Sequence, residues 1–246
     1  MSDTKKIIAI GDIHGRVMWQ DIVSLYEADK YIFIGDYLDT RDDITVDAQI
    51  ENLKAIIAFK DQNPDNVVLL FGNHDYHYLP FINQTYSGFN WPMKLRVGED
   101  ILVPNLSKFK MCHREGDFLF SHAGISNTWL VANGWDGDDV EQFVNDLWVA
   151  KPNAFENKGP SPYGDDRDAS PIWIRPKSLI ESNFVLLPYK QVVGHTPSDI
   201  IKLIGNYYFI DALEDGYFLG IDFMNGQTNA KILKIDESIS YNKKNI

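Results

Sequence analysis

The chain has 246 residues, 44% of them hydrophobic and 24% charged, and its 35 Asp and Glu outnumber 23 Lys and Arg to give a formal net charge of −12. Chains of this size bury roughly 70–75% of their unfolded surface, so the composition supplies a core and excludes a wholly disordered chain. The acidic balance argues against general binding to nucleic acid or anionic lipid, and a single cysteine, Cys112, excludes an intramolecular disulfide or a Cys-rich zinc module.

At the N-terminus the apolar stretch is too short for a signal-peptide core, and no later run approaches the roughly 18 apolar residues of a membrane helix. A soluble cytoplasmic protein without a membrane or nucleic-acid partner is therefore expected. Residues 5–10 form a β-branched run, 17–28 carry a helix-like mixture, and 31–34 form a second apolar run. Val46–Gln62 places Ile50, Leu53, Ile57 and Ala58 at helical spacing, and 67–71 is a third apolar run. This order predicts β-α-β-α-β with strands buried on both faces of a parallel sheet.

Two further apolar stretches lie at 118–120 and 191–193, and from about Ile200 the pattern changes to short strands and tight turns. Asn225-Gly226 between alternating runs predicts a hairpin, so the C-terminal part is expected to be antiparallel. Residues 133–171 are rich in Gly, Pro, Asn and Asp and predict surface loop around one helix, Val140–Ala150. No repeat or linker splits the chain, which predicts one domain over 1–246 with a loop-rich insertion around 133–171. Substrate choice is expected to lie in the loops, chiefly 76–116 and 133–170.

Each of five apolar runs ends at a small residue followed by Asp, Asn or His. The segments are Gly11-Asp12-Ile13-His14-Gly15, Gly35-Asp36-Tyr37-Leu38-Asp39, Gly72-Asn73-His74-Asp75, Ser121-His122-Ala123-Gly124 and Gly194-His195-Thr196. One such Gly-Asp is ordinary turn chemistry. Five are different, because the carboxyl ends of strands in an open α/β sheet face one crevice where ligands bind. Asp12, His14, Asp36, Asn73, His122 and His195 would then meet. Carboxylate, amide oxygen and imidazole suit Mn²⁺, Fe, Zn²⁺ or Mg²⁺, and six such groups suit two ions about 3.5–4 Å apart that share a carboxylate.

These motifs, GDIHG, GDYLD, GNHD, SHAG and GHT in that order, resemble the calcineurin-like metallophosphoesterase superfamily, and within it the bacterial and phage-type serine/threonine phosphatases and the symmetrical diadenosine tetraphosphate hydrolases. The resemblance spans residues 11–196 and implies an α/β fold, a four-layer α/β/β/α sandwich of two mixed β-sheets. By the same resemblance Asp12 and His14 bind a first metal, Asp36 bridges, and Asn73, His122 and His195 bind the second. His74 stands near the leaving-group oxygen, and Asp39 pairs with it. The implied activity is that of a dinuclear metal-dependent phosphoesterase, with two divalent ions for which Mn²⁺ is the expected metal. It would act through a metal-activated hydroxide as a serine/threonine-phosphatase-like phosphomonoesterase. A dinucleoside polyphosphate hydrolase is the alternative, so the phosphorylated substrate is a phosphoprotein or a nucleotide. A metal-dead scaffold is disfavoured because all six ligand positions are filled.

Two departures from the phosphatase pattern stand out. The run Asp39-Thr40-Arg41-Asp42 replaces Asp-Arg-Gly, which displaces the arginine by one residue, and Asp75 replaces a glutamate. Arg41 either grips phosphate or neutralises Asp39, Asp42 or Asp43. Ile172-Trp173-Ile174-Arg175 resembles a Trp-x-Arg element, which makes Arg175 a second candidate phosphate contact. His77 and His113 fit no motif and are expected as surface or loop histidines, and Cys112 as a packed small hydrophobe. The aromatics Tyr76, Tyr78, Phe81, Tyr86, Phe89 and Trp91 either cover the sheet or wall a base-binding site.

Overall fold

The structure, a computed structural model, describes residues 4–161, 165–182 and 187–235; residues 162–164 of the loop-rich segment and both ends of the 1–246 span lie outside them. Its first sheet contains β1 (Thr4–Ile10), β2 (Lys30–Phe33), β3 (Val67–Leu70) and β4 (Phe109–Lys110), paired in parallel in that order. The long strands β10 (Tyr217–Met224) and β11 (Gln227–Lys234) join antiparallel at the free edge of β1. The second sheet has the order β5-β6-β7-β9-β8, from Cys112–Glu115, Phe118–Ser121, Lys190–Val193, Tyr207–Phe209 and Lys202–Ile204.

Side chains of successive strand residues point to opposite faces, and here both faces are buried. Ile7, Ala9, Ile32, Ile34, Val68 and Leu70 pack against Phe118, Phe120 and Val192 of the second sheet, forming the layer between the sheets. Their neighbours Ile8, Ile10, Phe33 and Leu69 turn outward with Trp19 and Ile22 of α1 (Trp19–Leu25) and Ile50, Leu53 and Ile57 of α2 (Val46–Gln62). Leu119 and Val193 belong to the same outer core as Trp129 and Leu130 of the helix Asn127–Ala132. Two sheets between helices make the four layers. No helix among the described residues is long and apolar enough to cross a membrane.

Local chemistry sets the element ends. Thr45 caps α2 by accepting the Ala48 N–H at 3.2 Å, and Asp139 caps Val140–Ala150 by accepting that of Gln142 at 3.0 Å. Asn225 and Gly226 both have positive φ, 51° and 77°, as a two-residue hairpin requires. One expectation is corrected. The C-terminal strands are not uniformly antiparallel, since β9 pairs parallel with β7 through Gln191–Tyr207 and Val193–Phe209. Within 76–116, residues Lys94–Leu102 form a π-helix whose Val97, Ile101 and Leu102 are buried.

Cys112 is a buried thiol, as expected. His113 is not a surface residue: it is 7% exposed, and its Nδ1 lies 3.0 Å from Glu141 Oε1, tying β5 to the helix Val140–Ala150. Burial raises the Glu141 carboxyl, but the His113 hydrogen bond and the Lys110 ion pair more than reverse this, and it falls from 4.5 to about 2. A carboxyl depressed by folding contributes stability that is complete above its unfolded value and is lost as pH falls through the folded one. Glu141→Gln should therefore lower the thermal midpoint at pH 7. The gap to wild type should narrow below pH 4.5 on the way to about 2. Calorimetry at several pH values checks this, and a gap that stays constant would assign Glu141 to packing alone.

Candidate active site

Asp12 and His14 follow β1, Asp36 and Asp39 follow β2, Asn73 and His74 open α3 (Asn73–Tyr76) directly after β3, and His122 and His195 follow β6 and β7. The five strand ends thus come from two sheets rather than one. Among the described residues five non-glycines have positive φ, and four of them are His14 (45°), Asp36 (49°), Asp39 (60°) and His195 (66°). Such conformations cost of order 1–3 kcal/mol each and persist only where surrounding contacts over-determine them. Those contacts are present: the Asp36 carbonyl accepts the N–H groups of Ile13 and His14 at 3.1 and 2.7 Å. The His195 N–H donates to both Asp12 oxygens at 3.1 and 3.0 Å. The motif glycines give clearance, because a Cβ at Gly72 would overlap Asp36 Oδ1 and one at Gly194 would overlap Asp12 Oδ1.

All six candidate ligands converge. Donor atoms of Asp12, His14 and Asp36 lie within 4.8 Å of one another, as do those of Asp36, His122 and His195, so Asp36 is common to both groups. His14 Nε2 is 3.8 Å and His122 Nε2 3.3 Å from Asp36 Oδ2. Asn73 Oδ1 and His195 Nδ1 lie 3.1 and 3.2 Å from His122 Nε2. The outer ring nitrogens meet backbone carbonyls: His14 Nδ1 at Leu38 O, 2.8 Å; His122 Nδ1 at Ile34 O, 3.1 Å; His195 Nε2 at Trp173 O, 3.0 Å. A carbonyl only accepts, so those nitrogens carry hydrogen, and in the neutral rings His14 Nε2, His122 Nε2 and His195 Nδ1 are the nitrogens left with lone pairs for a cation. Histidines that hold metals are oriented in this way.

Charge points to the same fit. Burial, then Asp211 and Asp36, push the Asp12 carboxyl well up, and burial and Asp36 push Asp211 up to about 6. Asp36 stays well below the usual carboxylate range against its own burial, because His122 and His74 stand beside it. Crowded buried carboxylates among imidazoles are what a divalent cation neutralises, so the donor set, in two groups that share Asp36, fits two such ions. Sequence reasoning missed Asp211, although it closes the apolar run 207–210 as the other site aspartates close theirs.

Above this floor is a cavity of about 390 Å³ whose lining includes His74, Asp39, Arg16, Arg41, Trp173 and Arg175. His74 Nδ1 lies 2.9 Å from Asp39 Oδ2, and the Tyr78 hydroxyl donates to Asp39 Oδ1. Burial opposes charge on His74, but Asp36 and Asp39 more than offset it and raise its pKa. His77, expected as a loose histidine, is 0% exposed with Nε2 2.7 Å from Asp39 Oδ2; its three-residue distance from His74 gave no motif to find it by.

The sequence reading did not single out Arg16, whereas Arg41 and Arg175 both reach the cavity. Arg16 pairs with Asp42 at 2.8 Å and Glu214 at 2.9 Å, while Arg41 is exposed at the cavity and has no ion pair among the described residues. Arg175 Nη1 donates to His195 O at 2.8 Å and Thr196 Oγ1 at 3.2 Å. Asp75 points away from the cavity and accepts the N–H groups of Tyr37 and Gly72 at 2.8 and 3.0 Å, pinning two motif loops together. The aromatic cluster covers the core. Tyr76, Tyr78 and Tyr86 are buried, Phe81 and Trp91 are exposed elsewhere, and none of the six lines the cavity.

A family model described as "Calcineurin-like phosphoesterase" matches residues 5–216. Serine/threonine-protein phosphatase ppe1 of Schizosaccharomyces pombe is 29% identical over 159 residues, 62% of this chain and 47% of its own length. The chain spans about half the length of the curated relatives it matches. Among solved structures, a protein serine/threonine phosphatase from Saccharomyces cerevisiae superposes with TM-score 0.60 at 14% identity, over 95% of this chain and 81% of that one. A structure described as "a putative diadenosine tetraphosphatase" superposes with TM-score 0.52 at 15% identity, over 94% of both chains. At these identities the two superpositions show a shared fold.

Proposed function

Because this chain belongs to the calcineurin-like phosphoesterase family, we propose that it is a dinuclear metal-dependent phosphoesterase and, within that class, a serine/threonine-phosphatase-like phosphomonoesterase. The observation that carries this reading is that Asp36 is shared by two ligand groups on the floor of the cavity that also holds the His74–Asp39 pair. Asp12 and His14 would hold one ion, Asn73, His122 and His195 the other, and Asp36 both; we favour Mn²⁺, and Fe, Zn²⁺ or Mg²⁺ suit the same donors. Bound there, the ions supply Lewis acidity toward phosphoryl oxygens and lower the pKa of water toward neutrality. Arg41 and Arg175 neutralise charge on the equatorial oxygens of the transferring phosphoryl group. His74 holds its Nδ1–H toward Asp39, which leaves Nε2 to give a proton to the departing oxygen.

Two features favour a phosphorylated polypeptide over a dinucleoside polyphosphate. Asp199 and Asp215 line the cavity and repel a chain of phosphates, and among the described residues Trp173 is its one aromatic besides histidines, 6% exposed and poorly placed to stack on a base. Hydrolysis by Mn²⁺-loaded protein of phosphoserine peptide, diadenosine tetraphosphate, mononucleotides and aryl mono- and diesters tests the proposal. Highest kcat/KM on diadenosine tetraphosphate would replace this reading with the dinucleotide one, and folded protein that takes up no metal would replace it with a scaffold.

The arginines give a separate prediction. Charge-assisted contacts contribute about 1.5–3 kcal/mol, so Arg41→Ala or Arg175→Ala should slow turnover roughly ten- to a hundred-fold with both ions still bound. Unaltered kinetics in Arg41→Ala would return that side chain to the solvated surface.

A further inference from the structure

Asp39 is held from three sides. His74 Nδ1 lies 2.9 Å and His77 Nε2 2.7 Å from its Oδ2, and the Tyr78 hydroxyl donates to Oδ1. The His77 approach is off the N–H axis, and Nε2 has no hydrogen-bond partner among the described residues, so its contact with Asp39 is a short electrostatic one. The other nitrogen of His77 is accounted for, because Nδ1 accepts the Tyr86 backbone N–H at 3.3 Å. Nδ1 therefore carries a lone pair and Nε2 carries the hydrogen, which places a neutral imidazole with its Nε2–H edge beside Asp39. Stacking on Tyr86 at 5.4 Å and 17° and an edge contact with Tyr78 at 4.4 Å fix the ring in this orientation. The cluster is not a third metal site of the ordinary kind. Its 2.7–2.9 Å separations are hydrogen-bond distances, shorter than the roughly 3.3 Å between ligand atoms on tetrahedral zinc.

We propose that His77 is a positioning residue: acting through Asp39, and with Tyr78 on the other carboxylate oxygen, it holds His74 with hydrogen on Nδ1 and Nε2 directed at the leaving group. Oδ2 carries both imidazole contacts and Oδ1 the Tyr78 hydroxyl, so His77 adds a second attraction on the oxygen that orients His74. An Asp39 that turned away would release His74 Nδ1 and misdirect Nε2. The inference rests on the phosphoesterase reading for its consequence in catalysis, but its structural content is independent of that reading.

The test uses two substitutions, His77→Asn and His77→Gln, whose amides replace different halves of the ring. The shorter asparagine amide reaches the Nδ1 level and cannot reach Asp39, whereas the longer glutamine amide reaches the Nε2 level and can donate to it. In Mn²⁺-loaded protein, His77→Asn is expected to keep full metal content and an unchanged KM. Its kcat on phosphoserine peptide should fall about 10–100-fold, the usual cost of losing an orienting partner, and on p-nitrophenyl phosphate less than about 3-fold. His77→Gln should recover most of the loss, and Tyr78→Phe should show the same leaving-group dependence more weakly. Imidazole ¹⁵N–¹H spectra of Zn²⁺-loaded protein should show a slowly exchanging His74 Nδ1–H in wild type and His77→Gln that is lost in His77→Asn. Asparagine and glutamine variants that behave alike in the spectra, or a loss equal for both esters, would overturn the proposal. Wild-type protein inactive on every ester would refute the phosphoesterase reading, and the spectra would still decide the role of His77.

Discussion

Asp36→Asn is expected to abolish phosphate-ester hydrolysis and strip both metal positions while leaving the fold standing. Asparagine tolerates the left-handed region better than other non-glycine residues, so φ 49° is retained at small cost. Its amide oxygen can still accept the His74 backbone N–H that Asp36 Oδ1 accepts at 2.9 Å. What disappears is the charge common to the two ligand groups, with His14 and His122 on either side of the oxygen that carries it. Metal analysis of purified protein and thermal melting with and without Mn²⁺ read this directly. A ligand at 100 times its dissociation constant stabilises the native state by about 2.7 kcal/mol per site, and the variant should lose that shift. Wild-type metal content in Asp36→Asn would sink the assignment of Asp36 as the bridge.

His74→Asn is expected to depress hydrolysis of alkyl phosphates by about 10²–10⁴-fold, the span of positioned acids and bases. The substituted amide reaches the level of Nδ1 and can keep the bond to Asp39, so the change removes chiefly the Nε2 end of the ring. A proton matters in proportion to how poorly the leaving group departs without it. The loss should therefore be severe on phosphoserine peptide and mild on p-nitrophenyl phosphate, with Asp39→Asn following the same order more weakly. A uniform loss across leaving groups, with both ions bound, would place His74 on the attacking side instead, and the phosphoesterase reading would survive without its acid.

Much of this site is legible in the chain because it is written in local chemistry. Continuous β-branched runs mark strands buried on both faces, and a small residue followed by Asp, Asn or His marks where each one stops. Val46–Gln62 and Val140–Ala150 have the predicted ends because Thr45 and Asp139 cap them through residues three positions on. Asn225-Gly226 turns as predicted because the two residues alone supply both positive φ values. Such features depend on neighbours within a turn or two, and one sequence contains them.

What the tertiary structure alone decided involves partners far apart along the chain. His195 meets Asp12 across 183 positions and His122 meets Ile34 across 88, so two sheets rather than one had to close before the six candidate ligands converged. Arg16 took Asp42 and left Arg41 at the cavity because Asp42 and Glu214, 198 positions from Arg16, arrive on the same side of it. His77 and His113 have no motif, and their roles come from Asp39 and Glu141, carboxylates on other elements that only packing brings within about 3 Å. A buried polar side chain must find a partner or cost free energy, but a sequence does not say which polar residues will be buried, because burial belongs to the closed surface and not to the residue.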